Sequence, residues 1–344
     1  MRAKRELASA AIGALGLTHA LGTVRSTFIR DFRVLAYHRV LETWEEASFD
    51  YDLELISARR EEFEWQMNLL ANRFNVVSCK QVSDAINHGL DLPSRAMMIT
   101  FDDGFGDNYE VAFPVLAKIG LPATFFLSTG YISTQRLFWF DWVVHAILRT
   151  REKRIRLHTV DMDLKLEDTP APRRRLAADL LRVLKRLTET QRLATLEELR
   201  HVSGVGEGDV GQKVNSPMTW DEVREMSQAG MDFGSHTVSH PVLSMITDRE
   251  QLCLELRDSK EAIERETSRP VIALSYPVGG GNAVNDLVLA ATADAGYEFA
   301  FSYEPGANYK LKDDRWSLKR IHVERYTGRS AFRAAIEMPE LFAR

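Results

Sequence analysis

At 344 residues, 45% of them hydrophobic, the chain can bury one large α/β core or two smaller ones. A net charge of −5, with the basic residues spread along the chain, gives no general attraction to nucleic acid, and no nucleic-acid partner is expected. The only cysteines, Cys79 and Cys253, lie far apart, which excludes a disulfide framework and a thiolate cage, so any metal must be held by histidine and carboxylate.

The chain starts basic, Met1 to Arg5, and then carries no formal charge from Leu7 to Val24 apart from any protonation of His19. Thr18-His19-Ala20 has the form of a small-x-small cleavage site, which would mean export. Against this, the run is mostly Ala and Gly, Glu6 interrupts its start, and Arg25 and Arg30 follow, so insertion into a bilayer is weakly driven. Residues 1–30 are therefore read as a basic, apolar helix, cytoplasmic or resting on a membrane surface, with an export signal or anchor as the alternative.

From residue 31 onward, short apolar runs read as strands: RVLAY (33–37), NVVS (75–78), AMMITF (96–101), ATFFLS (123–128), MDFGS (231–235), VIALSY (271–276), EFAFSY (298–303) and KRIHV (319–323). Amphipathic segments lie between them, several ending in Gly as helix C-caps do. The alternation predicts parallel strands wrapped by helices, and seven or eight such units favour a closed barrel over an open sheet. One block breaks the rhythm: 135–216 carries FWFDWVVHAILR, Pro170 and Pro172, a long helical pattern and the tail GVGEGDVG, and it is read as a helical insertion. Its Phe138, Trp139, Phe140 and Trp142 are expected to pack the insertion's own helices on the barrel, in preference to forming a lid that stacks on sugar rings.

Polar clusters end four of the strands. They are Tyr37-His38, Asp102-Asp103-Gly104, His236 with His240, and Tyr276-Pro277-Val278-Gly279. In a barrel these positions share one rim, where the loops converge. Adjacent carboxylates repel, so the pair at 102–103 calls for a third party. GSHTVSHP (234–241) suggests one: histidines four apart lie on one face if the segment is helical, a spacing suited to a single ion. One carboxylate would complete a His-His-Asp ligand set, and the other would stay free to take a proton from water, kept ionised by the field of the ion. Each cluster alone has a plain structural reading, as a turn, a helix cap or a hydrogen-bonded core histidine. Their joint placement at strand ends is what points to a site.

TFDDG, then HTVSH, then a strand ending in YPVGG resembles the polysaccharide deacetylases, carbohydrate esterase family 4, over about Arg33 to Val323. The resemblance implies a distorted (β/α)7-type barrel, placed here at 31–344 with the insertion at about 135–216. It implies Asp102 as general base and Asp103, His236 and His240 as ligands of a divalent metal, zinc first, with cobalt or nickel as alternatives. The Arg that orients the base in the family's third motif is absent here, as in members resembling the poly-N-acetylglucosamine deacetylases, whose early segment is like Tyr37-His38-Arg39-Val40. Val278 is expected to give its backbone N–H to the oxyanion, a role that needs no side chain. The Leu-x-His that supplies the general acid is not cleanly present. His38 is preferred for that role, with His322 as its rival. The implied activity is metal-dependent removal of acetate from an N-acetylated oligo- or polysaccharide. Alternatives are hydrolysis of another C–N amide bond, formyl or cyclic imide, or a non-catalytic carbohydrate-binding relative.

Overall fold

The computed structural model describes residues 17–206 and 215–343. Seven strands close a parallel barrel: β1 (Phe32–Tyr37), β5 (Ala96–Phe101), β6 (Thr124–Leu127), β9 (Asp232–Ser235), β10 (Ala273–Ser275), β11 (Phe299–Pro305) and β12 (Leu318–His322). The order β1-β12-β11-β10-β9-β6-β5 is sealed by β5 returning to β1 over six paired residues, Phe32 opposite Ala96 through Tyr37 opposite Phe101. An eighth short strand, β4 (Asn75–Val76), pairs with the lower end of β5 at Ala96 and Met97, while β6 takes its upper end at Thr100 and Phe101. Two more short strands, β2 (Arg39–Leu41) and β3 (Ile56–Arg59), pair with each other beside the barrel; the sequence pattern did not reveal them.

β1 and β5 are buried along their whole length, which is why they read as unbroken apolar runs and not as alternating ones. The pleat nonetheless sorts their side chains. Val34, Met98, Phe126, Phe299, Phe301 and Leu318 share one cluster that plugs the lumen, while Leu35, Ile99, Phe125, Ala300 and Ile321 face the surrounding helices. Continuing the lumen-facing register upward leads to Asp102, Tyr303, Arg320 and His322. The period of two that fills the lower barrel with hydrocarbon thus aims polar groups into its mouth. Local signals fix the helix ends: Ser78 and Gln81 form a capping box on helix Cys79–His88, and Thr219 and Glu222 do the same on helix Trp220–Gln228.

The insertion differs from the expectation of helices alone. Helices Trp139–Arg149, Pro170–Leu184 and Glu189–Ser203 are joined by an antiparallel hairpin, β7 (Arg154–Leu157) with β8 (Met162–Lys165), whose side chains alternate between buried and exposed. The unit has its own core, in which Phe138, Trp139, Phe140 and Trp142 are all buried with Ile147, Leu180, Leu184 and Leu199. These aromatics pack the insertion. Part of the Gly-rich tail, 207–214, and the basic start of the chain, 1–16, lie outside the described residues. Helix Leu17–Phe28 is the described part of the N-terminal segment, and no described helix is long and apolar enough to cross a membrane.

Candidate active site

The strand β5 ends in two carboxylates that leave in different directions. Asp102 faces the lumen, where the Arg320 guanidinium meets it with both arms, Nη1 donating to Oδ1 at 2.8 Å and Nη2 2.8 Å from Oδ2. Burial alone would raise the Asp102 carboxyl; Arg320, lying against both oxygens, outweighs it and holds the group well below the usual carboxylate range. Arg320 is in turn tied to Ser302 O through Nε at 3.0 Å and lies over the Tyr303 ring. This corrects the reading in which an ion alone offsets the paired charges. The orienting arginine missing from the third motif is supplied from β12. A sequence signal for it existed: in LKRIH, Leu318, Arg320 and His322 alternate onto one face, and Leu318 belongs to the lumen plug.

Asp103 turns the other way, with φ of 76°, in the left-handed region that Asp tolerates better than most residues. Its two oxygens are buried and have no hydrogen-bond donor. Facing them are His236 Nε2 at 3.5 Å and His240 Nε2 at 3.2 Å. His236 Nδ1 lies 2.7 Å from the carbonyl of Ser275, which can only accept, so the proton sits on Nδ1 and Nε2 presents a lone pair. Burial lowers both imidazoles, with His240 pushed down to about 3 by burial and then by Lys185 and Arg192. The His236 lone pair faces a buried carboxylate that receives no hydrogen bond, with His240 Nε2 beside it, an arrangement that costs free energy unless a cation enters. The three residues fit a divalent ion, having the donor set and the second-layer carbonyl expected of one.

The two histidines are not on a helix, so the helical face that their spacing would allow is not what brings them together. The chain after β9 is a tight loop with Thr237 at φ 69° and His240 at φ 56°. Side chains hold it: Glu255 accepts from Val238 N and Ser239 N at 2.8 and 2.9 Å, Thr237 N donates to Ser235 Oγ at 3.1 Å, and His240 N to Thr237 Oγ1 at 3.1 Å. Gly130 lets the loop approach, because a Cβ there would sit 2.8 Å from Val238 O. With Asp103 and Val278, four of the eight described non-glycine residues at positive φ lie at this site, so backbone strain is concentrated where groups must be aimed.

Val278 has φ of 64°, an outlier for a β-branched residue, and its N–H has no acceptor among the described residues. The turn is pinned from behind. Tyr303 N donates to Gly279 O at 2.6 Å, and a Cβ on Gly279 would lie 2.6 Å from that nitrogen. The Tyr303 ring separates the two candidate acids. His322 stacks flat on it at 3.6 Å and 9°, with Nε2 buried and without a partner, and is held down to about 3 by burial and the Arg320 charge. His38 meets the same ring edge-on at 5.7 Å. Its main chain is fixed by Ser57 Oγ and by Asn108 Nδ2, at 3.0 and 2.8 Å. Burial holds His38 below its ordinary value too, with the charges of Asp103 and Asp102 opposing the fall. Sequence reading missed Arg320, Tyr303, Glu255 and Ser57.

The insertion closes one side of the cluster. Trp139 Nε1 donates to His240 O at 3.0 Å and the Phe140 ring packs 4.9 Å from the His240 ring. One residue on, Asp141 accepts from Asp52 N at 2.9 Å and lies 3.9 Å from Arg39, whose Nε is bound to Asp107 at 2.8 Å. All three charged groups are fully buried, and they tie the insertion to the segment that carries His38.

Known proteins share this plan. A family model described as polysaccharide deacetylase matches residues 89–196 and 207–300. YxkH of Bacillus subtilis (strain 168) is 24% identical over 279 residues, covering 81% of this chain and 70% of its own. The poly-beta-1,6-N-acetyl-D-glucosamine N-deacetylase of Escherichia coli (strain K12) is 36% identical over 78 residues, which are 23% of this chain and 11% of that protein. Among solved structures, the Streptococcus pyogenes deacetylase PplD in complex with acetate has the same fold, with a TM-score of 0.58 at 20% identity over 90% of this chain and 98% of that one.

Proposed function

Since the chain belongs to the polysaccharide deacetylase family and is a deacetylase, we propose that its substrate is an N-acetylated amino sugar in a poly- or oligosaccharide, cleaved to acetate and a free amine. Asp103, His236 and His240 would hold a divalent ion, zinc by preference; when bound, it supplies Lewis-acid polarisation of the acyl carbonyl and of water. The Asp102 carboxylate accepts the proton of the attacking water, and Arg320 keeps that carboxylate ionised and oriented. The Val278 N–H donates to the oxygen that becomes negative as the carbonyl carbon turns tetrahedral. His38 gives a proton to the departing nitrogen; its half-buried ring lies beside both carboxylates, whereas His322 is spent on stacking against Tyr303.

The observation that carries this reading is the orphaned Asp103 carboxylate faced by the Nε2 atoms of His236 and His240. Elemental analysis of protein purified without chelator, beside acetate release from N-acetylglucosamine oligomers, tests it. About one divalent ion per chain is expected, with activity lost to chelation and restored by zinc, cobalt or nickel. Acetate release that persists in fully metal-stripped protein would overturn the metal assignment. No release under any loading would overturn the substrate.

A further inference from the structure

A groove of about 550 Å³ lies between helix Pro170–Leu184 of the insertion and the segment 46–54. Arg175, Ala178, Arg182 and Lys185 follow one another at spacings of three, four and three, which sets them in a single stripe along this groove. Ala178 leaves open space between the cations on either side of it. The facing wall has three acidic residues, Glu46, Asp52 and Glu54, and Arg325 lies 3.4 Å from Glu46 and 3.0 Å from Glu54; with Arg174, Arg175, Arg182 and Lys185 the lining sets five cations against three carboxylates. Asp52 is turned to cap Glu54 N at 3.0 Å. On the basic wall, Arg182 is paired with Asp179 at 2.7 Å, while Arg175 and Lys185 have no hydrogen-bond or ion-pair partner among the described residues. The uncompensated charge in the groove is therefore positive.

The groove passes one helical turn from the insertion's contact with His240. Val144 lines it and sits one helical turn beyond Phe140, whose ring packs on His240.

We propose that this groove binds an anionic group, carboxylate or phosphate, carried by the glycan next to the N-acetylated sugar, with Lys185 and Arg175 as its ligands. This rests on the deacetylase reading above and specifies its substrate further. An anion here gains charge-assisted hydrogen bonds from two cations that have no hydrogen-bonded partner of their own, and the gain weakens as salt screens it. A neutral chain gains nothing comparable.

The test compares acetate release from three oligomers of equal length: neutral N-acetylglucosamine, N-acetylglucosamine alternating with glucuronate, and N-acetylglucosamine bearing a phosphate ester. Wild type is expected to show a KM about tenfold lower for one anionic oligomer than for the neutral one at low salt, with kcat similar and the gap closing as salt is raised. Which anionic oligomer shows it identifies the source of the charge. Lys185→Gln should raise that KM about tenfold while leaving the neutral KM within about twofold, and Lys185→Arg should restore most of it. Equal KM values for all three oligomers, or no response to Lys185→Gln, would overturn the proposal while the deacetylase reading stands. Calorimetric titration of Asp102→Asn protein separates the opposite case: tight binding of an anionic oligomer by protein whose wild type releases no acetate would uphold the groove and end the deacetylase reading.

Discussion

At the barrel mouth, Asp102, His236, Val278, Tyr303 and Arg320 come from five different strands or the turns that follow them, and each is aimed by the pleat or by a strained turn. In the insertion, Trp139, Phe140, Asp141, Arg175 and Lys185 come from one continuous block with a core of its own. The two regions touch at His240 and at Asp141. The difference separates two tasks. A barrel closed by six residues of β1–β5 pairing fixes the distances between reacting groups. A locally folded unit set beside it, with a core of its own, closes one side of the His240 loop.

This division is sharpest for the two histidines that flank Tyr303. His38→Ala should lower turnover by about 100- to 10,000-fold, the range for losing a general acid, with metal content unchanged. His322→Phe, which keeps a flat ring on Tyr303, should stay within about threefold of wild type. Measured acetate release that collapses in His322→Phe and survives in His38→Ala would reverse their roles. Arg320→Lys comes next. It keeps a positive charge but loses the two-armed grip on Asp102, worth about 1.5–3 kcal/mol, or roughly 10- to 150-fold in turnover. The sign of its pH effect is fixed. Arg320 holds Asp102 low, so weakening the contact raises that carboxyl and moves the acid limb of kcat/KM to higher pH. In wild type the stability conferred by the pair is present above the ordinary carboxylate range and lost only as pH falls well below it. An unmoved acid limb in Arg320→Lys would mean that Asp102 is not the titrating base.

The same separation explains what could be read from the sequence. Strand β5, predicted at 96–101, spans those residues, and the other barrel strands differ from expectation by one or two residues at most ends, because buried parallel strands leave unbroken apolar runs. β2 and β3 escaped notice, being three and four residues long. The clusters at strand ends were legible as residue types. Arg320 was passed over although its alternation with Leu318 and His322 was a signal, since an arginine in KRIHV reads as a solvated strand residue until the lumen register is known. For 236–240 the four-residue spacing suited one ion on a helical face, and the structure meets the same end by another route: Glu255 and Ser235 hold a turn that brings the rings together. Lys185 was hidden for another reason: an amphipathic helix rich in arginine has many exposed cations, and only the fold shows which of them lack a partner.

On the insertion side the larger effect is expected at Asp141. Burial pushes its carboxyl up to about 7, with Arg39 opposing the rise. A group raised above its ordinary value of 3.8 binds more protons folded than unfolded, so its contribution is fully present at low pH and is lost as pH climbs toward about 7. Wild type should lose about 1–2 kcal/mol from this source between about pH 5 and pH 7, and Asp141→Asn should remove that slope. Melting temperature against pH is the measurement. Curves that run parallel for both proteins would show that Asp141 stays ionised opposite Arg39 throughout, making the join between insertion and barrel an ordinary buried ion pair.

The smallest effect bears most directly on whether the two regions divide their work. Trp139→Phe removes the Nε1–H that donates to His240 O, leaving a buried carbonyl without its partner, at a cost of about 1 kcal/mol. Because that hydrogen bond acts on the peptide of a proposed ligand and on no reacting atom, the loss should appear as about fivefold weaker metal binding. Turnover with saturating metal should match wild type. If kcat stays low when the metal is in excess, the insertion positions the reaction itself, and His240 belongs as much to the inserted unit as to the barrel that carries it.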